Sequence, residues 1–219
     1  MNVRLAGLSL AALLVSPAFA GSVAPQKHVH RVFDIMREGS KIGTDTFDIS
    51  RQGDATSVKV NTHIIVKVAF ITAYRYDHSE AGTWKGTQLV SFKSKTDDNG
   101  KDHTIAATQS EGKIALDVDG TSTTAPKSTQ PASLWGAEVS KQKQIFDPAN
   151  GKRMAVGVQD LGDETVEVNG VPRQLNHVKL TGAFPRDLWF DEDGLVKMEL
   201  RGSDNSQITS QLRVSTASN

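Results

Sequence analysis

The sequence predicts a mainly antiparallel all-β fold, in which about 10–12 strands form a single strongly curved or half-barrel sheet with one or two short helices. Two observations lead to this prediction. After Gln26 the chain reads as short stretches in which apolar and polar residues alternate, which is the period of a strand with one buried face. Clusters of Gly, Asn and Asp separate these stretches about every eight to twelve residues, a spacing typical of turns between antiparallel strands.

The first predicted strands lie in the N-terminal third of the chain. Their buried faces carry Val29, Phe33 and Ile35 in residues 29–35, Phe47 and Ile49 in residues 43–51, and Val58, Val60, Ile64 and Val66 in residues 57–67. A turn over residues 38–41 separates the first two, because Gly39 accepts the backbone conformations that a tight turn requires.

The remaining strands follow from the same alternation. They are predicted at residues 71–77, 88–95, 102–109, 113–119, 153–159, 164–168, 174–181, 195–201 and 208–214. The last pair is the clearest, since Val196, Met198 and Leu200 alternate with polar or charged neighbours over much of their strand. No repeat of fixed period appears, so residues 21–219 are predicted to form a single domain.

One segment, residues 121–150, interrupts the pattern. It begins with a stretch rich in Ser, Thr and Pro, which is typical of a flexible loop. It continues into residues 133–139, where Ser133 is placed to cap a short helix. We expect this segment to be a crossover or a lid on the sheet.

The first twenty residues have the organisation of a secretory signal peptide. Arg4 precedes an apolar stretch, and the segment ends in Ala18-Phe19-Ala20, which predicts cleavage between Ala20 and Gly21. The apolar stretch is too short to span a bilayer, and no later segment is apolar enough to do so. Because the chain has no cysteine, it has no disulfides and no acylation site for a lipoprotein. We therefore expect a soluble periplasmic or secreted protein without a transmembrane segment.

Charge and ligand counts exclude several kinds of function. The 25 Lys and Arg residues balance the 25 Asp and Glu residues, so nothing electrostatic indicates a nucleic-acid partner. His28 and His30 share a strand face, but no third ligand at regular spacing follows them, and we expect no metal and no other cofactor. Residues 96–103, TDDNGKDH, fail the register of a calcium loop, whereas Asn99-Gly100 suits a type I′ hairpin turn.

The polar and aromatic residues in and between the predicted strands resemble the signature of a known group of proteins. Tyr74-Arg75-Tyr76-Asp77-His78, then Glu80, Trp84, Gly86 and Leu89, then residues 96–100 and Asp187-Leu188-Trp189-Phe190-Asp191, are similar to the signature of an uncharacterised family of bacterial exported proteins that carries only a domain-of-unknown-function label. The resemblance covers most of the mature chain and brings no catalytic residues. It implies an architecture similar to the curved sheets of periplasmic lipoprotein carriers, which hold acyl chains in a concave cavity. This second step is an analogy of fold.

One cluster of chemically active side chains stands out, at Asp77, His78 and Glu80. A catalytic triad requires its members to meet through the fold, yet Asp77 and His78 point to opposite faces of one strand, and the chain has no G-x-S-x-G motif. We interpret the three residues as a polar rim where strands end. A hydrolase built near them is kept as an alternative.

The aromatic residues carry the leading functional hypothesis. Tyr74 and Tyr76 share one strand face, Trp84 opens the next segment, Trp135 lies on the predicted helix, and Trp189 lies near the C-terminal hairpin. Such rings either fill the core or line a ligand cavity under a lid. We predict a non-enzymatic carrier of a hydrophobic or acyl-bearing ligand, with these five residues as candidate lining. An envelope protein-interaction module without a pocket is a further alternative. The oligomeric state does not follow from the sequence.

Overall fold

The computed structural model of the protein describes residues 25–137 and 142–218. Within these ranges the chain forms fifteen strands, which confirms the predicted all-β class. The strands are β1 (Gln26–Arg37), β2 (Ser40–Gln52), β3 (Ala55–Val68), β4 (Ile71–Lys85), β5 (Gln88–Asp98), β6 (Lys101–Ser110), β7 (Lys113–Val118), β8 (Thr121–Pro126), β9 (Gln130–Pro131), β10 (Gln144–Phe146), β11 (Arg153–Val168), β12 (Val171–Gly182), β13 (Arg186–Asp191), β14 (Gly194–Arg201) and β15 (Gln207–Ser218). The predicted signal peptide, residues 1–20, lies outside the described residues. In the part that is described, no helix has the length and hydropathy needed to cross a membrane.

All the described strands belong to one open sheet, in the order β8-β7-β6-β5-β4-β3-β2-β1-β15-β14-β13-β12-β11-β10-β9. Most neighbours in the sheet are also neighbours along the chain and pair as antiparallel hairpins. The exception in the middle is the antiparallel pair of β1 and β15, in which His28 lies opposite Ser218. At one end, β9 pairs with β10 in parallel. The sheet therefore has two arms, β2–β8 and β9–β14, joined by β1 and β15.

The hairpin predicted at Asn99-Gly100 is confirmed. The backbone φ angles are +54° at Asn99 and +87° at Gly100, as a type I′ turn requires. The Gly100 backbone N–H donates a hydrogen bond to Oδ1 of Asp97 at 2.7 Å, and Asp98 lies opposite Lys101. The carboxylate of Asp97 thus stabilises the turn from within.

The segment predicted as a crossover or lid differs from the expectation in two ways. Its Ser/Thr/Pro-rich start is partly strand, because residues Thr121–Pro126 form β8 at the edge of the sheet. Residues 132–135 adopt no helix, and the end of the helix predicted over residues 133–139 lies outside the described residues. The rest of the segment packs against the sheet, where Phe146 meets Phe92 edge to face with ring centroids 5.4 Å apart. We refer to residues 127–137 and 142–152 as the crossover.

The contacts of Trp135 in the crossover show that the sheet is curved, as predicted. Its ring lies 5.2 Å from that of Trp84 on β4, and its carbonyl accepts a hydrogen bond from the Leu195 N–H on β14 at 3.3 Å. Strands β4 and β14 are five positions apart in the sheet, about 24 Å if the sheet were flat. One residue touches both, so the sheet curves around the crossover, and the main apolar core lies on the concave side.

Candidate functional site

The concave face and the crossover leave a cavity of about 410 Å³ between them. Its volume falls in the range of small-molecule sites in proteins. Both arms of the sheet contribute to its wall, together with residues 132–134 and 147–150 of the crossover. The apolar side chains that line it are Ile35, Phe47, Val60, Ile64, Leu134, Phe184, Leu195, Met198, Leu200 and Ile208. A second depression, of about 480 Å³, is lined mainly by polar and charged residues such as His63, Arg75 and Asp77.

A row of polar side chains crosses the concave face at right angles to the strands. Asp45 lies opposite Thr62, Thr62 opposite His78, and His78 opposite Thr96, on β2 to β5 in turn. Residues that lie directly opposite in antiparallel strands project from the same face of the sheet. Asp45, Thr62 and His78 line the cavity, whereas Thr96 is only 1% exposed and is not part of the cavity wall.

His78 is the centre of this row. Its Nδ1 lies 2.8 Å from Oγ1 of Thr96, and its Nε2 lies 3.2 Å from Oε2 of Glu80, the next residue on the same face of β4. The ring also stacks on that of Tyr76, with centroids 6.1 Å apart. His78 and Glu80 are both buried, so each satisfies the other's hydrogen-bonding capacity away from water. Both ring nitrogens are therefore occupied by protein groups.

The buried carboxyl group of Asp45 has the clearest electrostatic perturbation in the cavity wall. Burial raises its pKa from 3.8 to about 6, and hydrogen bonds from Thr62 and Ser210 oppose that rise. The Ser210 hydroxyl on β15 donates to Oδ2 at 3.3 Å. Asp45 therefore gains a proton at mildly acidic pH.

A cationic side chain, Arg186 on β13, lines the cavity as well. Its Cζ lies 3.2 Å from the centroid of the Phe184 ring, and its Nη1 lies 3.6 Å from the sulfur of Met198. Burial lowers its pKa to about 9, and Asp147 opposes that change. The cavity thus has an apolar body with two charged regions, the polar row on β2–β4 and the guanidinium on β13.

The predicted aromatic lining is only partly brought together. Tyr76 lines the cavity, whereas Tyr74 is absent from its wall and donates a hydrogen bond from its hydroxyl to Oδ1 of Asp98 at 2.7 Å. Trp84 and Trp135 are buried core residues beside a separate pocket of about 40 Å³. That volume is far below the usual range of ligand sites. For these two tryptophans, core packing is the better description.

Asp77 lies on the outer face and Trp189 is absent from the cavity wall, contrary to the interpretations above. Trp189 is a buried core residue that stacks on His177, directly opposite on β12, at 4.5 Å between ring centroids. Asp77 contacts Nδ1 of His63 at 2.5 Å and accepts a hydrogen bond from Nε of Arg75 at 2.6 Å. His78 and Glu80 therefore form a buried pair without Asp77, and the three residues do not form a polar rim.

Sequence reasoning missed Asp45 and Arg186. The signal for Asp45 was present, because it precedes Phe47 and Ile49 at intervals of two and so shares their buried face. A carboxylate at a position where the period predicts an apolar side chain indicates a site or a structural ion pair. Arg186 gave no such signal, since it is the first residue of its strand, directly after Pro185.

The two N-terminal histidines are engaged by neighbouring side chains. Nδ1 of His28 lies 2.9 Å from Oγ of Ser50, and Nδ1 of His30 lies 2.7 Å from Oδ1 of Asp48. Among the described residues, no group of three or more His, Asp or Glu side chains is arranged to hold a metal ion.

The chain has a recognisable family. Residues 33–213 match the model of a domain of unknown function, DUF6134. This range contains every described residue that lines the cavity. No curated protein matches the sequence. Because the family model covers most of the chain, the protein belongs to this family.

Proposed function

We propose that this member of the DUF6134 family is an exported, non-enzymatic carrier that binds a hydrophobic or acyl-bearing ligand in the cavity on the concave face. The observation that carries the proposal is the cavity itself, about 410 Å³ with a mainly apolar wall. Apolar walls with a few placed polar groups are typical of sites that enclose most of a ligand. The curved sheet supports the cavity from one side and the crossover covers it from the other.

The composition of the wall favours binding over catalysis. The hydroxyl within hydrogen-bonding distance of the His78 ring is that of Thr96, which does not line the cavity. A nucleophile activated by a histidine must reach the substrate. In this arrangement the hydroxyl is buried beside the imidazole and outside the cavity wall, so His78 serves as a buried polar contact.

Native mass spectrometry of periplasmically expressed protein, with lipid extraction, tests the carrier function. The wild type should carry co-purified lipid. Leu200→Trp places an indole in the cavity wall, so this variant should lose the lipid while remaining folded. A clean apo mass for the wild type would contradict the proposal.

A matched control separates the cavity from surface adhesion. The turn between β3 and β4 exposes Val68, Phe70 and Ile71, and Phe70 is fully exposed. These exposed apolar residues are the observation that favours the alternative, an interaction module. Phe70→Ser should leave the lipid content unchanged if the cavity holds the lipid. Loss of lipid in this variant and not in Leu200→Trp would assign binding to the turn.

The hydrolase alternative has one supporting observation, the contact between His78 and Glu80 in the cavity wall. It is tested by assaying ester and glycoside substrates with the wild type and His78→Ala. The carrier function predicts no turnover by either protein, and turnover that the substitution abolishes would favour the hydrolase.

A further inference from the structure

The Arg186 guanidinium is the one charged group of the cavity wall whose partners are apolar or weakly polar. It rests on the Phe184 ring and contacts the sulfur of Met198, which is a weak hydrogen-bond acceptor. Its Nε is buried and has no hydrogen-bond partner. Among the described residues, the side-chain hydrogen bond of Arg186 goes to the Met198 sulfur, and Asp147 acts on it only through its charge. Arg186 is half-buried, and a cation in such surroundings is costly unless an anion accompanies it.

The carboxylates of the cavity wall do not fill this role, because each has its own partners. Oδ1 of Asp147 accepts a hydrogen bond from the Ala149 N–H, and its Oδ2 accepts one from Nδ2 of Asn150. Asp147 is thus held in a local turn. Its charge favours protonated Arg186 from a distance without forming an ion pair.

The other three acids of the wall are also engaged. Asp98 accepts a hydrogen bond from the Tyr74 hydroxyl, Glu80 contacts His78, and Asp45 accepts from Ser210. These contacts leave Arg186 as the charge in the cavity that still requires a counter-ion. A counter-ion bound to Arg186 would have apolar neighbours, because Phe184, Met198 and Leu200 line the same cavity.

The chemistry of the guanidinium specifies the counter-ion. Arginine presents a planar fork of N–H donors that matches a carboxylate or phosphate with two parallel hydrogen bonds. Since the rest of the wall is mainly apolar, the complementary molecule has an anionic head and a hydrocarbon body. We propose that the cavity binds an anionic amphiphile whose carboxylate or phosphate head pairs with Arg186. This inference rests on the proposed carrier function and names the class of its ligand.

Isothermal titration calorimetry at pH 7.5 with dodecanoate, monododecyl phosphate and dodecanol tests the inference. The three probes share one hydrocarbon chain and differ in the head group. Wild-type protein should bind at least one anionic probe about tenfold or more tightly than dodecanol, since charge-assisted hydrogen bonds are about twice as strong as neutral ones. The preferred anion distinguishes a carboxylate head from a phosphate head.

Arg186→Gln should bind the three probes with similar affinity, because the amide keeps a polar group but loses the charge. Arg186→Lys should retain a reduced preference, since the ammonium keeps the charge and lacks the planar fork. The matched control is Arg201→Gln, at an exposed position of β14 where Nη1 donates to the Asn205 carbonyl at 3.3 Å. This control should keep the full preference of the wild type.

The possible outcomes separate the two proposals. If the wild type binds dodecanol as tightly as both anions, the inference of an anionic head group is wrong, while the carrier function stands. If none of the probes binds, the carrier function fails and the inference falls with it. The comparison of probes needs only the wild type, so it remains decisive even where a variant fails to fold.

Discussion

Replacing Asp45 by asparagine should stabilise the protein at neutral pH. Asp45 is 8% exposed, and burial raises the pKa of its carboxyl group from 3.8 to about 6. The folded state therefore binds the proton more tightly than the unfolded state does. The stabilisation from this difference is fully present below about pH 4 and is lost as the pH rises through 6. Asparagine has the shape of the carboxyl group and never acquires the charge.

The pKa shift of Asp45 gives the size of the expected difference in unfolding free energy. A change of about two pKa units corresponds to about 3 kcal/mol of unfolding free energy, at about 1.4 kcal/mol for each unit. The Asp45→Asn variant should therefore exceed the wild type by up to about 3 kcal/mol at pH 8, and the two should converge near pH 4. For a chain of this size, that difference corresponds to a rise of about 6–12 °C in Tm.

Urea unfolding followed by tryptophan fluorescence at pH 4 and pH 8 measures the difference directly. The control is Asp48→Asn on the same strand, where the carboxylate is half-exposed on the outer face and contacts His30 at 2.7 Å. This variant should gain no stability at pH 8. The reasoning is refuted if Asp45→Asn is no more stable than the wild type at pH 8, or if its advantage is the same at both pH values.

Two further substitutions test how the crossover is held. Phe92→Ala removes a fully buried ring that packs on Phe146, and it should cost about 3–5 kcal/mol in urea unfolding, whereas Val90→Ala at an exposed position of the same strand should change stability by about 0.5 kcal/mol or less. A loss below about 1 kcal/mol for Phe92→Ala would show that the crossover does not pack on β5. Gly194→Ala should cost about 1–3 kcal/mol and speed proteolysis of the crossover, because φ at this position is +138° and a Cβ atom would overlap the Trp135 carbonyl oxygen. Unchanged Tm and proteolysis would contradict that contact.

The sequence predicted the strands well because the physical signal for them is local. Alternation on one face identified Phe47 and Ile49 on β2, and both are buried. The turn at Asn99-Gly100 followed from the backbone conformation that these two residues tolerate. What alternation does not encode is which strands meet across the chain, so the pairing of β1 with β15 emerged only in the structure.

The candidate site was harder to predict for the same reason. In residues 188–190, Leu, Trp and Phe follow one another, so the pattern does not say which of them faces inward. Trp189 lies beside a bulge and away from the cavity, whereas Arg186, three residues earlier on the same strand, lines it. Asp45 obeys the alternation rule, since it shares the buried face of Phe47 and Ile49, but alternation alone does not separate a site residue from a structural polar group.

The pairing of β1 with β15 also constrains the order of folding. Apart from the parallel pair β9 and β10, each arm can form by successive hairpins between strands that are adjacent along the chain, which is fast because loop closure is short. Strands β1 and β15 form the seam between the two arms. They pair His28 with Ser218, residues that are very far apart in the sequence, so the seam forms only after β15 has been synthesised. The cavity straddles this seam, since Ile35 and Phe47 come from one side and Leu200 and Ile208 from the other. The proposed ligand site is therefore complete only after β1 and β15 have paired, and a ligand bound there should slow unfolding by holding the two arms together.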